Sequence, residues 1–235
     1  SSEMNLHRLN CPKGIAVNLS RDKALRHAVL AGAVSFAASI CLANPAFAEC
    51  RNVPAAQCQD ATLGRIDWRD ANLDGANFRN ANLEHANLAG ASLRGADFRG
   101  ANLREARLEG SDLSGANFDG ADLRWANLES VVAIKSRFAH ARMRKSDLEN
   151  ADLSQSTLIG ADLTQADLVS ADLQHSDLQG AKLDGAYMEH ANLKQANLLG
   201  AAINRTHLLG ARLNDALWIN GKPCIAPSRG ICRQR

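Results

Sequence analysis

The sequence predicts an all-β solenoid, a chain that turns a corner every five residues, and three observations carry that expectation. A large apolar residue recurs at each position ending in 3 or 8, from Leu63 to Trp218. These are 32 sites, and all but Trp68, Ala133 and Trp218 hold Leu, Phe, Met or Ile. A small residue stands two places earlier, Ala or Ser at every site from Ala61 to Ala216 except Ile66, Val131 and Thr206. The phase never slips, so nothing but a multiple of five residues can interrupt the array. Neither standard element buries this pattern. Five helical residues advance a net ~140° at ~100° each, which scatters Leu88, Leu93, Phe98 and Leu103 around the cylinder. On a straight strand side chains alternate, so residues five apart face opposite sides. A corner every five residues lets each segment present the same position to a central axis, and fixed-period repetition is the mark of such architectures.

Residues 86–105 read ANLAG, ASLRG, ADFRG, ANLRE. This unbroken A(D/N)LXX tandem resembles the pentapeptide-repeat family over roughly residues 61–220. The resemblance implies a right-handed quadrilateral β-helix in which four pentapeptides make one coil. The central Leu or Phe and the preceding Ala or Ser then point inward, and the other three positions point out. On that basis Leu73, Phe78, Leu83 and Leu88 fill one layer, and Leu93, Phe98 and Leu103 belong to the next. Ala71, Ala76, Ala81 and Ala86 let the walls approach. About eight coils at ~4.8 Å per coil give a rod of roughly 38 Å.

No coil is large enough to dry its own leucines, so burial comes from stacking on neighbours. Each buried Leu contributes about 1.5–3 kcal/mol. The Asn/Asp series (Asn72, Asn77, Asn82, Asp152, Asp162, Asp172) is expected to hydrogen-bond turn backbone, in preference to forming an acidic metal ladder. A filled axis leaves no cavity for a substrate.

Residues 1–48 read differently. Arg21, Lys23 and Arg26 precede an apolar run of about fifteen residues, and NPAFA ends at Ala48 before Glu49. A basic flank, a short apolar centre and an Ala-x-Ala end predict a signal peptide with a long n-region, cleaved between Ala48 and Glu49. The run is short for a membrane span, which takes roughly 17–25 residues; an uncleaved anchor is the competing reading. Beyond residue 48 the chain keeps 22 of 27 Lys/Arg and 23 of 25 Asp/Glu. That near-neutral balance gives no drive toward nucleic acid and lacks the acidity of a DNA mimic.

Four cysteines follow the leader, Cys50 and Cys58 before the repeats, Cys224 and Cys232 after them. Four cysteines allow three connectivities, but the rod separates the two pairs by far more than disulfide reach. Cys50–Cys58 and Cys224–Cys232 are therefore expected. Zinc is the alternative, without C-x-x-C spacing or a nearby His to support it. Disulfides imply an oxidising compartment, the periplasm or cell exterior, or alternatively a thylakoid lumen. Residues 49–60 and 221–235 then read as caps on a shaft of residues 61–220, needed because a solenoid exposes its core and strand edges at both ends.

Residues twenty apart should stack. One column runs Glu84, Arg104, Arg124, Arg144, Thr164, and the next side carries Glu109, Glu129 and Glu149. The arginines read either as a candidate binding stripe or as charges neutralised by that acidic column. Near the C-terminal end Ile159, Val169, Leu199, Leu209 and Ile219 occupy outward sites. They read as residues under the cap or as an interface for a partner or homodimer; resemblance to gyrase-protecting relatives implies dimerisation near this end. VVAIK, residues 131–135, exchanges the large and small inward sites and predicts a local bulge or bend, with a functional kink as the alternative.

No catalytic, cofactor or metal constellation emerges. His85, His140, His175, His190 and His207 share no twenty-residue column, and no Walker loop or G-x-S-x-G stands outside the repeat. Two function classes follow. One is an exported structural or protein-interaction scaffold with a protein partner, no nucleic acid and no membrane after cleavage. The alternative, taken from the resemblance, is a DNA-mimicking regulator of a type II topoisomerase.

Overall fold

The computed structural model describes residues 9–11, 15–17 and 50–234. The expected leader and its Ala48–Glu49 junction lie outside these residues, apart from one backbone ladder. There β1 (Leu9–Cys11) pairs antiparallel with β2 (Ile15–Val17), Leu9 opposite Val17.

From Cys50 onward the chain winds into a four-sided shaft. Parallel bridges join residues twenty apart without a register change, from Gln57 with Asn77 to Asn197 with Leu217. Four pentads therefore make one coil. The sides are named below by their first full coil: Leu73, Phe78, Leu83 and Leu88.

The repeat satisfies its own backbone, as residues 76–80 illustrate. The Ala76 N–H closes the preceding turn on the Leu73 carbonyl at 3.0 Å. Asn77 donates to Ala56 in the coil below at 2.8 Å, and Phe78 and Asn80 donate to Asp97 and Arg99 in the coil above at 2.7 and 3.0 Å. The fifth donor, the Arg79 N–H, meets the Asn77 side-chain oxygen at 3.2 Å. This is why Asn or Asp recurs before the central residue: it supplies the one acceptor that coil-to-coil pairing does not. Asn72, Asn82, Asp152, Asp162 and Asp172 accept the amide two residues on in the same way.

The last pentad position carries the corner. It has positive φ in every repeat from Arg65 to Asp215, 67° at Gly75 and 59° at Trp125 for example. This left-handed conformation suits glycine, and glycine recurs there from Gly75 to Gly210.

The axis is dry. Leu73, Phe78, Leu83, Leu88, Leu93, Phe98 and Leu103 are all 0% exposed. On the Phe78 side Phe78, Phe98, Phe118 and Phe138 form an internal stack with ring centroids 4.6–4.9 Å apart. Offset-stacked aromatics add about 0.5–1.5 kcal/mol per pair beyond burial. At four of the five Ser residues that replace the small Ala the hydroxyl bonds back into its own turn, Ser146 to the Met143 carbonyl at 2.7 Å and Ser176 to Leu173 at 2.7 Å for example. The Ser111 hydroxyl is buried without a partner among the described residues.

VVAIK makes no bulge. Val132 bridges Asp112 below and Asp152 above in the ordinary register, and Val131 and Ala133 are both buried. The volume lost at one inward site is regained at the other.

At the C-terminal end the chain returns antiparallel over two sides, Leu217 opposite Pro223 and Arg212 opposite Arg229. Its carbonyls take the amides that would otherwise face an absent coil: Leu213 to Ser228, Asp215 to Cys224, Trp218 to Lys222. At the other end Cys58 fills the inward site beneath Phe78, and Trp68 is buried 6.2 Å from that ring.

Candidate functional site

Inward positions are consumed by packing, so function has to lie on the outer sides or at the ends. The cysteines sit in the end segments. The Cys50 and Cys58 sulfurs are 2.16 Å apart and those of Cys224 and Cys232 are 1.98 Å apart, both at disulfide distance. Among the described residues no three His, Cys, Asp or Glu side chains are grouped to hold a metal ion. No described helix is long and apolar enough to cross a membrane.

Arg104, Arg124 and Arg144 stack on the Leu83 side, one per coil, but they are not alike. Arg124 is tied by two hydrogen bonds to Asp122, Nε to Oδ1 at 2.7 Å and Nη2 to Oδ2 at 2.5 Å. Partial burial pushes the Asp122 carboxyl up. The Arg124 guanidinium and N–H outweigh this and hold it below the usual carboxylate range. Arg104 lies at the 4.0 Å limit of an ion pair with Glu84, and its Nε is buried without a hydrogen-bond acceptor. Arg144 is exposed and, among the described residues, has no ion pair.

Trp125 stands at the corner between the Leu83 and Leu88 sides. Its ring lies beneath the Arg104 and Arg124 guanidinium carbons, 5.2 and 5.8 Å from the ring centre. Such cation–π contacts restrain guanidinium groups that would otherwise sweep through solvent. An open depression of about 560 Å³ runs along this corner, lined by Arg104, Glu105, Ala106, Arg107, Trp125 and Asn127.

Neutralisation by the neighbouring column is not what the structure shows. Of Glu109, Glu129 and Glu149 only Glu109 makes an ion pair among the described residues, and it pairs with Arg107 on its own side. Compensation runs within each side: an Asp is followed two residues later by the Arg it holds, as in Asp67–Arg69, Asp97–Arg99 and Asp122–Arg124, or meets an Arg of the adjacent coil, as in Arg94–Asp112 and Arg137–Asp119. Among the described residues, charge without an ion pair is left on two adjacent sides, basic at Arg142, Arg144 and Lys145, acidic at Glu129, Asp147 and Glu149.

The five apolar residues do not form one interface. With twenty residues per coil, Ile159, Leu199 and Ile219 fall on the Phe78 side, whereas Val169 and Leu209 fall half a coil away on the opposite Leu88 side. Ile219 packs against the core, while Leu209 is 75% exposed. Proximity along the sequence misled here because a side is set by residue number modulo twenty.

Two features of the outer surface escape a reading by fives. The last pentad position is restricted to positive φ, and its recurrent glycines were the available signal. The other is a substitute acceptor. Where Ser92, Arg137 and Ala202 replace Asn or Asp, an Asp one coil below takes the stranded amide: Asp74 that of Arg94 at 3.0 Å, Asp119 that of Ala139 at 2.9 Å, and Asp184 that of Asn204 at 3.1 Å.

With this geometry in place, similarity to known proteins can be stated. The family model described as pentapeptide repeats matches in eight copies across residues 56–95, 91–129, 146–185, 171–208 and 181–217. These spans leave out 130–145, which holds VVAIK and the Arg142–Lys145 turn. A search of curated proteins finds no match. Among solved structures the chain is similar to HetL, a pentapeptide repeat protein involved in heterocyst differentiation regulation from the cyanobacterium Nostoc sp. strain PCC 7120. The identity is 28% over 73% of this chain and 88% of that one, with a TM-score of 0.47. A pentapeptide repeat protein, Rfr23, from the cyanobacterium Cyanothece 51142 is 30% identical over 48% of this chain and 63% of its own, with a TM-score of 0.33. One from the Arabidopsis thaliana thylakoid lumen is 28% identical over 46% and 68%, with a TM-score of 0.19. The chain belongs to the pentapeptide-repeat family, and its shaft is that family's right-handed quadrilateral β-helix.

Proposed function

We propose that the protein is an exported, non-enzymatic scaffold that binds a partner protein on the Leu83 side of a rigid rod. The observation that carries this reading is the filled axis: the inward leucines and phenylalanines of the middle coils are fully buried. Chemistry needs a concave site with convergent polar groups, whereas a straight-walled shaft offers broad flat sides. Side chains on such a wall are held in fixed register by the coil spacing, so a partner meets them with little ordering cost. The basic residues Arg104, Arg124 and Arg144, with Trp125 at the corner, supply the docking stripe. Because the apolar set divides between opposite sides, it gives no support to a homodimer through the C-terminal coils.

Export is supported by the leader pattern and by cysteine pairs at disulfide distance at both ends, which persist in oxidising compartments. The periplasm, the cell exterior or a thylakoid lumen would suit. The topoisomerase-regulating alternative calls for an acidic DNA-like surface, and the basic Leu83 side weighs against it.

Mass spectrometry of fractionated cells tests this reading. A chain beginning at Glu49 in an exported fraction, with Cys50–Cys58 and Cys224–Cys232 peptides linked without reductant, is the expected result. An uncleaved cytosolic chain with free thiols would overturn it and revive the topoisomerase alternative.

A further inference from the structure

The turn at 142–145 departs from its neighbours in a way that specifies a ligand. In three turns a carboxylate binds both the backbone N–H and the guanidinium of the Arg two residues on. Asp67 does so with Arg69 (N–H 3.4 Å, Nε 2.9 Å), Asp97 with Arg99 (3.1 and 2.8 Å) and Asp122 with Arg124 (3.3 and 2.7 Å). Residues 142–145 lie directly above the Asp122 turn, since Asp122 and Arg142 bridge. Here Arg144 is kept, but the Asp has become Arg142. The remaining amides of this turn are paired as usual: Arg142 with Ala121, Met143 with Asp162, Lys145 with Thr164. The Arg144 N–H has no acceptor among the described residues.

The substitute seen elsewhere is also missing. At Asp74, Asp119 and Asp184 an acid one coil below rescues the amide. Below Arg144 that position is Arg124, a donor already committed to Asp122. The amide thus opens onto a surface carrying the Arg142, Arg144 and Lys145 side chains, none of which makes an ion pair among the described residues. Several other turns also lack the Asx acceptor, Ile134 after Val132, Glu109 after Arg107 and Asn214 after Arg212 among them. Asn214 has Arg212 in its turn and Lys194 beneath, but that turn also carries the acid Asp215, whereas residues 142–145 hold three cations and no acid. Trp125 borders the patch on the coil below.

We infer that this turn is a carboxylate-binding site, and that the proposed docking stripe takes an acidic, Asp/Glu-bearing segment of its partner protein. The inference rests on the scaffold reading and supplies the chemistry of its partner. One partner carboxylate accepts the Arg144 N–H and guanidinium, reproducing the Asp122–Arg124 geometry one coil up. Further acids on the same segment meet Arg142, Lys145 and, along the rod, Arg104. A carboxylate is favoured over other oxyanions because the molecule itself uses carboxylates in this geometry three times. Charge-assisted, two-point contacts of this kind are the stronger class of hydrogen bond.

Titration of the protein with a short Glu/Asp-rich peptide at low and moderate salt tests the site, read by calorimetry and by the amide NMR signal of Arg144. The expected result is salt-sensitive binding that shifts the Arg144 amide and leaves that of Arg124 in place. Arg142→Asp restores the internal acceptor and should weaken peptide binding by on the order of tenfold or more; Arg144→Gln should do the same. Arg79→Asp changes net charge equally on another side and should leave affinity within about twofold. Unfolding midpoints of all variants verify that the rod is intact. No binding, equal loss in Arg79→Asp, or an unmoved Arg144 amide would overturn the site. Tighter binding of a sulfated oligosaccharide or of inorganic phosphate would overturn the peptide assignment. Either failure leaves the scaffold reading standing, because that reading is decided by the mature N-terminus and the compartment.

Discussion

The middle coils and the two ends of the shaft solve one problem by different means. In the middle each strand residue has a copy of itself above and below, and repetition alone supplies partners for the backbone and neighbours for the leucines. At the ends one neighbour is missing. The chain replaces it with residues the repeat does not use: Cys58 beneath the phenylalanine stack, Trp68 turned against Phe78, and an antiparallel return in which Cys224 and Cys232 stand at disulfide distance. Stability in the middle is therefore cooperative between coils, whereas stability at the ends depends on single local devices.

The sharpest way to break this contrast is to cut a hole in the middle. Phe118→Ala removes a ring stacked at 4.6 Å on Phe98 and 4.9 Å from Phe138. The cost should be about 3–5 kcal/mol, read as a loss of chemical-denaturation midpoint. Trp218→Ala, at a partly exposed end site, should cost clearly less. Equal losses would mean that the middle gains nothing from having neighbours on both sides.

Next in size is the C-terminal cysteine pair with its proposed disulfide. Cys224→Ser with Cys232→Ser opens a short loop, and loop-closure entropy puts the loss at roughly 2–3 kcal/mol. Hydrogen exchange should rise around residues 211–218 while the Phe98–Phe138 coils stay protected. A loss spread evenly along the rod would contradict the local role given to the ends.

Asn117→Ala tests the turn chemistry of the middle coils. It strands the Asp119 N–H now bonded to Asn117 at 2.9 Å, and about 1 kcal/mol should be lost. The same change at Asn214, which accepts from Ser228 in the returning segment, should loosen the C-terminal end alone.

The smallest effect concerns pH. Hydrogen bonding from Arg99, aided by its N–H and charge, holds the Asp97 carboxyl below its usual range. A depressed folded-state value stabilises the fold above the unfolded pKa, and the gain disappears as pH falls through the folded value. Acid titration below about pH 4 should therefore destabilise the wild type slightly more than Asp97→Asn. An identical acid response in the two proteins would remove this pair from the account.

Most of the middle was legible from residue types alone. Leu, Phe and Ala at fixed phase left no other way to bury the pattern, and the Asn/Asp series announced its turn role. The ends were legible only as exceptions, because cysteine and tryptophan mark a departure from the repeat without giving the path the chain takes. The outer sides were least legible. Whether Ile159 and Val169 are neighbours, or whether Asp74 can serve the Arg94 amide, depends on the twenty-residue coil and not on the five-residue repeat. The arginine column looked uniform in sequence and is not: Asp122 holds Arg124, Glu84 stands near Arg104, and Arg144 is left with Arg142 beside it. Those differences come from what precedes each arginine by two residues and what lies one coil below it.

Residue-resolved amide exchange on the native protein tests the central claim most directly, that coil-to-coil pairing and one Asx acceptor satisfy every backbone donor of a middle repeat that carries the Asn or Asp. The Asn117, Phe118, Asp119 and Gly120 amides should exchange slowly as a group, and Arg144, alone among its own turn's amides, should exchange fast. Phe118 exchanging as readily as Arg144 would contradict the account.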